Sequence, residues 1–151
     1  MYQMEYIIST RKEDNGWYVE VETEIVGQGN SITVKHTVYD RDNTIVMGQN
    51  TTVATVETHT DNQILYVENP NLWGIESPNL YVLKTELLID NIVIDEEVQN
   101  FGFRKIEYHT DNGFILNGRR VKINGVCEHH DLGALGAAMN KTALRRRLNI
   151  W

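Results

Sequence analysis

Apolar and polar residues alternate along most of the first hundred positions, in short runs that turn residues separate. In the clearest run Trp17, Val19, Val21 and Ile25 lie on one side, and the glutamates between them lie on the other. A period of two is typical of an antiparallel strand that is buried on one face only. The same kind of pattern predicts further strands over 4–10, 32–38, 44–47, 51–58, 64–67, 80–88 and 92–98.

Turn residues separate these runs, as at Asp14-Asn15-Gly16 and Asp90-Asn91. Glycine and asparagine tolerate the positive φ angles that tight turns need. Short strands with turn signals roughly every 8–12 residues are typical of an all-β protein of the sandwich type. The predicted fold is therefore an immunoglobulin-like antiparallel β-sandwich.

The pattern changes after Arg104. Asn117-Gly118 lies between the apolar run 114–116 and the segment 120–123. Asn-Gly is the pair that suits a two-residue type I′ turn, so this segment predicts a hairpin.

The last part of the chain predicts a loop and a helix. Residues 133–139 are small and glycine-rich, and Asn140 is suited to cap a helix. Leu144 and Leu148 are four residues apart and would share one face of that helix. No stop signal follows, so we expect the helix to run to Trp151 and the chain to be cut within an element.

Composition excludes several classes of protein. The 151 residues carry a formal net charge of -7, which argues against nucleic acid as a partner. No apolar run approaches the roughly 20 residues that a membrane-spanning helix needs, and no signal peptide is visible. We expect no membrane partner and leave the compartment open between cytoplasm and periplasm. The one cysteine, Cys127, excludes an internal disulfide and a zinc site built from several cysteines.

Five short motifs lie between residues 69 and 131. They are Asn69-Pro70-Asn71-Leu72-Trp73, Ser77-Pro78-Asn79-Leu80-Tyr81, Phe101-Gly102-Phe103-Arg104, Leu116-Asn117-Gly118 and Asn124-Gly125-Val126-Cys127-Glu128-His129-His130-Asp131. Each is weak alone. In this order and at this spacing they resemble glycoside hydrolase family 2, the family of β-galactosidases and β-glucuronidases.

The resemblance implies two domains. Residues 1–104 would be the immunoglobulin-like sandwich, and residues 105–151 would hold a hairpin, one strand (about Val121–Val126) and one helix of a truncated (β/α)8 barrel. A sugar-binding domain would precede this chain and most of the barrel would follow it. Trp73 is expected to pack at the end of the sandwich or at a domain junction, and Arg104 to form an ion pair at the junction with the barrel or to be exposed.

The resemblance also implies where the chemistry lies. Retaining glycosidases use two carboxyl groups roughly 5 Å apart, and in this family both are glutamates on later barrel strands. A whole barrel takes about 250 residues, whereas only residues 105–151 are left for it here. We therefore expect no catalytic residue, no cofactor and no hydrolase activity in this chain alone.

The segment from Glu128 to Asp131 is the one local cluster of titratable groups that suggests chemistry, because it follows a predicted barrel strand, where barrel enzymes place their sites. The resemblance implies that His129 and Asp131 bind the substrate, a β-galactoside or related glycoside. Cys127 and Glu128 depart from the family pattern, so the fine specificity stays open. A metal site built from His129, His130 and Asp131 is disfavoured, because adjacent histidines on a strand point to opposite faces.

Two functions are compatible with the sequence. The first is a non-catalytic domain of a family 2, β-galactosidase-like hydrolase, and the second is a free-standing β-sandwich that binds carbohydrate or mediates adhesion. The barrel-type motif and the abrupt end of the helix over 145–151 favour the first. The apolar residues of 105–151 would have no barrel to cover them, which predicts either a homo-oligomer formed through this segment or a mobile tail.

Overall fold

A computed structural model describes residues 3–14, 16–125, 138 and 140–150. Antiparallel strands dominate, which confirms the predicted β character, and one short helix lies near the C-terminal end. The elements are β1 (Gln3–Glu13), β2 (Gly16–Tyr39), β3 (Ile45–Val67), β4 (Tyr81–Ile89), β5 (Ile92–Phe101), β6 (Ile106–His109), β7 (Gly113–Leu116), β8 (Arg119–Arg120) and α1 (Lys141–Leu148).

Five strands form one sheet around β2. One edge of β2 pairs with β3 along nearly its whole length. The other edge is shared, since residues 16–26 pair with β1 and residues 33–39 pair with β4, which in turn pairs with β5. A register shift between Gln28 and Ser31 separates the two halves of β2.

This sheet folds over, so that the two halves of β2 face each other across the core. We call β1 with the first half of β2 and the second half of β3 the first layer, and the other half-strands with β4 and β5 the second layer. Both layers contribute to two buried apolar clusters. The Phe103 cluster contains Trp17, Val19, Val21, Val38, Leu65, Val67, Tyr81, Leu83 and Phe103, and the Ile25 cluster contains Met4, Ile25, Ile32, Val34, Val53 and Leu87.

The long strands differ from the sequence prediction. Residues 27–30 lie between two of the predicted strands, but β2 continues through them. Likewise the three strands predicted over 44–47, 51–58 and 64–67 are parts of the single strand β3. The physical reason is the irregularity in the ladder: a bulge bends a strand without ending its pairing, so one strand passes from one layer to the other.

Two of the predicted turns are confirmed. Asp90 and Asn91 join β4 to β5 with φ angles of 49° and 63°. Asn117 and Gly118 join β7 to β8 with φ angles of 50° and 77°. Two consecutive positive φ values are what a type I′ turn requires.

The barrel strand is not observed. β6, β7 and β8 form a separate three-stranded sheet. β8 ends at Arg120, and residues 121–125 have no regular structure, so the strand predicted over Val121–Val126 does not form in the described part of that range. Backbone contacts divide the chain into two compact units, Met1–Val121 and Lys122–Trp151.

The predicted helix forms but is shorter than expected. Asn140 caps it, with its side-chain oxygen accepting a hydrogen bond from the Ala143 N–H at 3.0 Å. The helix ends at Leu148, where the backbone N–H of Asn149 bonds back to the Arg145 carbonyl, rather than continuing to the last residue. In the described ranges there is no helix with the length and apolarity that a membrane span needs.

Candidate functional site at the end of the folded sheet

Four of the five motifs meet in space, although they are spread over residues 69–118. The Trp73 N–H donates to the Phe103 carbonyl at 2.8 Å, and Asn117 Nδ2 donates to the Trp73 carbonyl at 2.9 Å. Trp73 also forms an isolated β-bridge with Pro78. We call this meeting point, residues 69–81 with 101–105 and 116–118, the junction.

Hydrogen bonds hold the loop between β3 and β4 in place. Asn79 Nδ2 donates to the Leu72 carbonyl at 3.0 Å, and the Asn71 N–H donates to the Tyr81 hydroxyl at 2.8 Å. Backbone groups near the core need hydrogen-bond partners. In this loop side chains supply them, in place of the backbone hydrogen bonds that a neighbouring strand would make. The loop is therefore built to keep one shape.

Asn117 connects the small sheet to the junction. Its side-chain oxygen accepts from the Lys105 N–H at 2.9 Å, while its backbone N–H donates to the Lys105 carbonyl at 2.8 Å. The side-chain nitrogen is committed to Trp73. Asparagine supplies a donor, an acceptor and a tolerated positive φ at one position, a combination that neither glycine nor aspartate has.

Phe103 forms the buried floor of the junction. It is completely buried and lies edge-on to Trp17, Tyr81 and Phe101, with ring centroids 5.7, 4.9 and 5.3 Å away. Edge-to-face packing at these separations is favourable for aromatic rings. A Cβ atom on the preceding Gly102 would lie 3.0 Å from the Trp73 Cβ, so the close approach depends on glycine.

Arg104 lies at the surface of the junction. Its guanidinium carbon is 5.0 Å from the centroid of the Trp73 ring, a cation–π distance, and the residue is exposed. A cleft of about 370 Å³ beside it is lined by Ile8, Thr10, Trp73, Leu80, Phe101, Gly102 and Arg104. This lining is mostly apolar, carries one cation and has no carboxyl group, so it suits packing against protein better than acid–base chemistry.

The predicted substrate-binding residues are not part of this junction as described. His129 and Asp131, and with them His130, Cys127 and Glu128, lie outside the described residues. Their role stays a prediction. Within the part of the chain that the structure does describe, no group of three His, Cys, Asp or Glu side chains could hold a metal ion.

Sequence reasoning missed a buried polar cluster in the core. His36 lies in β2 and is completely buried. The available signal was the polar residue between Val34 and Val38, at an inward position of the alternation.

Comparison with known proteins agrees with the motifs. Residues 4–104 match the sequence profile described as Glycosyl hydrolases family 2. The chain is 47% identical over 88 residues to a β-galactosidase from Bacteroides ovatus, covering 58% of this chain and 10% of that protein. It is 30% identical over 117 residues to a β-glucuronidase from Streptococcus agalactiae, covering 78% of this chain and 18% of that protein.

A solved structure supports the same assignment. The crystal structure of a glycosyl hydrolase family 2 member from Bacteroides cellulosilyticus superimposes with a TM-score of 0.78 at 31% identity, covering 96% of this chain and 20% of that one. Fold, motifs and relatives together make this chain a domain region of a glycoside hydrolase. It belongs to glycosyl hydrolases family 2. The chain spans only about a tenth to a fifth of the length of the relatives it matches.

Proposed function

We propose that this chain is a non-catalytic part of a family 2 glycoside hydrolase, an immunoglobulin-like sandwich followed by the beginning of the catalytic barrel. The junction is the observation that carries the proposal. Two of its polar side chains, Asn79 and Asn117, hydrogen-bond to backbone groups, and the lining of the cleft beside Arg104 has no carboxyl group. Its role is to hold the end of the sandwich in one shape against the rest of the enzyme.

The whole enzyme would hydrolyse terminal β-glycosides with retention of configuration. β-Galactosides are the first substrates to test and β-glucuronides the second, since relatives of both names match this chain. The two catalytic carboxyl groups that retention requires would lie on later barrel strands.

Assay of the 151-residue chain tests the absence of catalysis. We expect no turnover of nitrophenyl β-galactoside or β-glucuronide above the buffer blank, with the Bacteroides ovatus β-galactosidase as the positive control for the first substrate. Turnover at rates of about 1 per second or more, typical of enzymes, would refute the proposal. Reading the gene past Trp151 separates it from the free-standing module: a continuing β/α pattern supports the hydrolase, and an immediate stop codon supports the module.

Within the whole enzyme, His129 and Asp131 would contact hydroxyl groups of the sugar. His129→Ala should raise KM about tenfold, the effect of losing roughly 1.4 kcal/mol of hydrogen bonding. His130→Ala is the matched control, because His130 is predicted to face away from the sugar. Equal effects of the two substitutions would exclude a specific contact by His129.

A further inference from the structure

A cross-section of polar residues divides the core of the folded sheet. Thr23, His36 and Thr85 are completely buried, and Asp61 is 5% exposed. Each occupies an inward position in its strand. The Phe103 cluster lies on one side of this section and the Ile25 cluster on the other. For example, Val21, two residues before Thr23, belongs to the Phe103 cluster, and Ile25, two residues after Thr23, belongs to the Ile25 cluster.

The strand register places these residues at one level. They form two rows that face each other across the core, one row in each layer. The first-layer row is Tyr6, Thr23 and Asp61, and the second-layer row is His36, Thr85 and Glu97. We call these six residues, with Gln63, the polar belt.

Hydrogen bonds within the belt join the two layers. His36 Nε2 lies 3.3 Å from Thr23 Oγ1 of the first layer, and His36 Nδ1 lies 3.0 Å from Thr85 Oγ1 of its own layer. Gln63 Nε2 of the first layer donates to the Val34 carbonyl of the second at 3.1 Å. The imidazole is therefore a bridge, held from both sides by hydroxyl groups.

The margin of the belt is also closed by polar groups. The Tyr6 hydroxyl of β1 hydrogen-bonds to the Glu97 carboxylate of β5, so the outermost strands of the two layers are joined at the same level. Burial raises the pKa of Tyr6, and the carboxylate of Glu97 adds to this shift.

The belt suits a neutral imidazole. Its two hydroxyl partners satisfy a neutral ring, which donates with one nitrogen and accepts with the other, and the complete burial of the ring disfavours the charged form. The charged groups that face His36 are few: Asp61 from β3 and, farther out, Glu97 from β5, while β4 and the first half of β2 offer only threonines. Asp61 already accepts a hydrogen bond from Gln63 Nε2 at 2.7 Å.

Burial dominates the protonation of His36. It lowers the pKa of His36 from 6.5 to about 4, and the nearby Asp61 carboxylate opposes this shift only in part. The Gln63 side-chain oxygen is also buried and has no hydrogen-bond partner. This unsatisfied acceptor costs free energy in the closed state, and the packing of the two layers must offset it.

We propose that the polar belt is an acid-sensitive latch: uptake of a proton by His36 releases the two layers from each other, and its loss locks them together. The opened state exposes the imidazole to water and binds the proton at the ordinary histidine pKa. At pH values between the ordinary histidine pKa and the lower pKa of the closed state, the opened state binds more protons than the closed state. Acidification therefore favours opening. Above pH 6.5 the latch contributes its full stability.

Unfolding by urea at several pH values tests the latch on the whole chain. From pH 7.5 to pH 5 the unfolding equilibrium constant of the wild type should rise about 30-fold, as the pKa difference at His36 requires. His36→Gln keeps a neutral donor and acceptor but does not titrate, so its constant should change less than about twofold. His109→Gln, at an exposed histidine of β6, is the matched control and should follow the wild type.

Parallel pH dependence of wild type and His36→Gln overturns the proposal. If His36→Gln fails to fold, an NMR titration of the wild-type histidines decides instead. We expect the His36 ring to stay neutral down to about pH 4 in the folded protein. Over the same titration, the protection factors of the amides along β2, corrected for the intrinsic pH dependence of exchange, should fall between pH 6.5 and 5. A His36 ring that protonates near pH 6.5, with protection factors along β2 unchanged, excludes the latch.

Discussion

The folded sheet of β1 to β5 and the small sheet of β6 to β8 are stabilised in different ways. In the described ranges, fifteen of the sixteen buried apolar residues belong to the folded sheet and its Phe103 floor, and only Leu116 belongs to the small sheet. The first buries enough apolar surface to hold its own layers together. The second depends on named hydrogen bonds.

The small sheet shows why the junction matters. β8 contains only Arg119 and Arg120, and isolated hairpins of this size are marginal in water. Its order therefore derives from contacts beyond its own ladder, above all those of Asn117 with Trp73 and Lys105. A few polar contacts at the junction hold the small sheet against the folded sheet.

The largest effect is expected from Phe103→Ala. The ring is completely buried among three other aromatic rings, so its loss should cost about 3–5 kcal/mol in the free energy of unfolding, measured with urea. Phe114→Ala, at a half-buried position of β7, is the control and should cost about 1 kcal/mol or less. Equal losses would contradict the difference between the two sheets.

A smaller effect is expected from Gly102→Ala. The added methyl group would lie 3.0 Å from the Trp73 Cβ and 3.3 Å from the Asn79 carbonyl oxygen, so the junction must shift. Overpacking of this kind costs about 1–3 kcal/mol. Gly74→Ala in the same loop has open space around the new atom, so its melting temperature should stay near that of the wild type. A Gly102→Ala protein that melts like Gly74→Ala would show that the junction is loosely packed.

Asn117→Ala should act locally. It removes the side-chain bonds to Trp73 and Lys105, worth about 1–2 kcal/mol together, and an alanine tolerates the positive φ less well. We expect faster amide exchange in β6 and β7 with little change in the urea midpoint of the folded sheet.

Asn117→Asp sharpens that test. Aspartate keeps the acceptor for the Lys105 N–H but loses the donor to Trp73. Its exchange rates should fall between those of the wild type and Asn117→Ala. If both substitutions destabilise the whole folded sheet equally, the junction and the sheet behave as one cooperative unit.

The smallest effect is expected on the outer face of the second layer. Lys84 Nζ lies 2.9 Å from Glu86 and 3.0 Å from Glu96, and Lys35 Nζ lies 3.0 Å from Glu86. Hydrogen bonds from Lys84 and Lys35 hold the pKa of Glu86 below 4.5, so this contribution is present above pH 4.5 and is lost as the pH falls through the lowered value. Lys84→Met should cost less than about 1 kcal/mol at pH 7.

The pH dependence distinguishes this ion-pair effect from a packing effect. The difference between Lys84→Met and wild type should be smaller at pH 3 than at pH 7, because acidification below pH 4.5 moves Glu86 toward its protonated form. Lys12→Met, at an exposed lysine of β1, is the comparison and should leave the urea midpoint unchanged at both pH values. A Lys84→Met defect that persists undiminished at pH 3 would point to the lost methylene packing instead.

Local features of this protein could be predicted from the sequence because their causes are local. The turns at Asp90-Asn91 and Asn117-Gly118 follow from residues that tolerate positive φ, and the cap of α1 follows from Asn140. The motifs at 69–104 indicated the family, and the profile match over residues 4–104 supports that assignment. The proposed sugar contacts of His129 and Asp131 rest on resemblance alone.

The sequence by itself determined which residues point to the same side of each strand, where the tight turns fall and which family the chain resembles. Only the tertiary structure decided that β2 and β3 run on through their bulges and that the two halves of β2 face each other. That fold-over turned His36 from one polar residue in an apolar strand into the centre of a buried belt. The physical reason is that alternation specifies a face of a strand, whereas burial depends on which other strand covers that face.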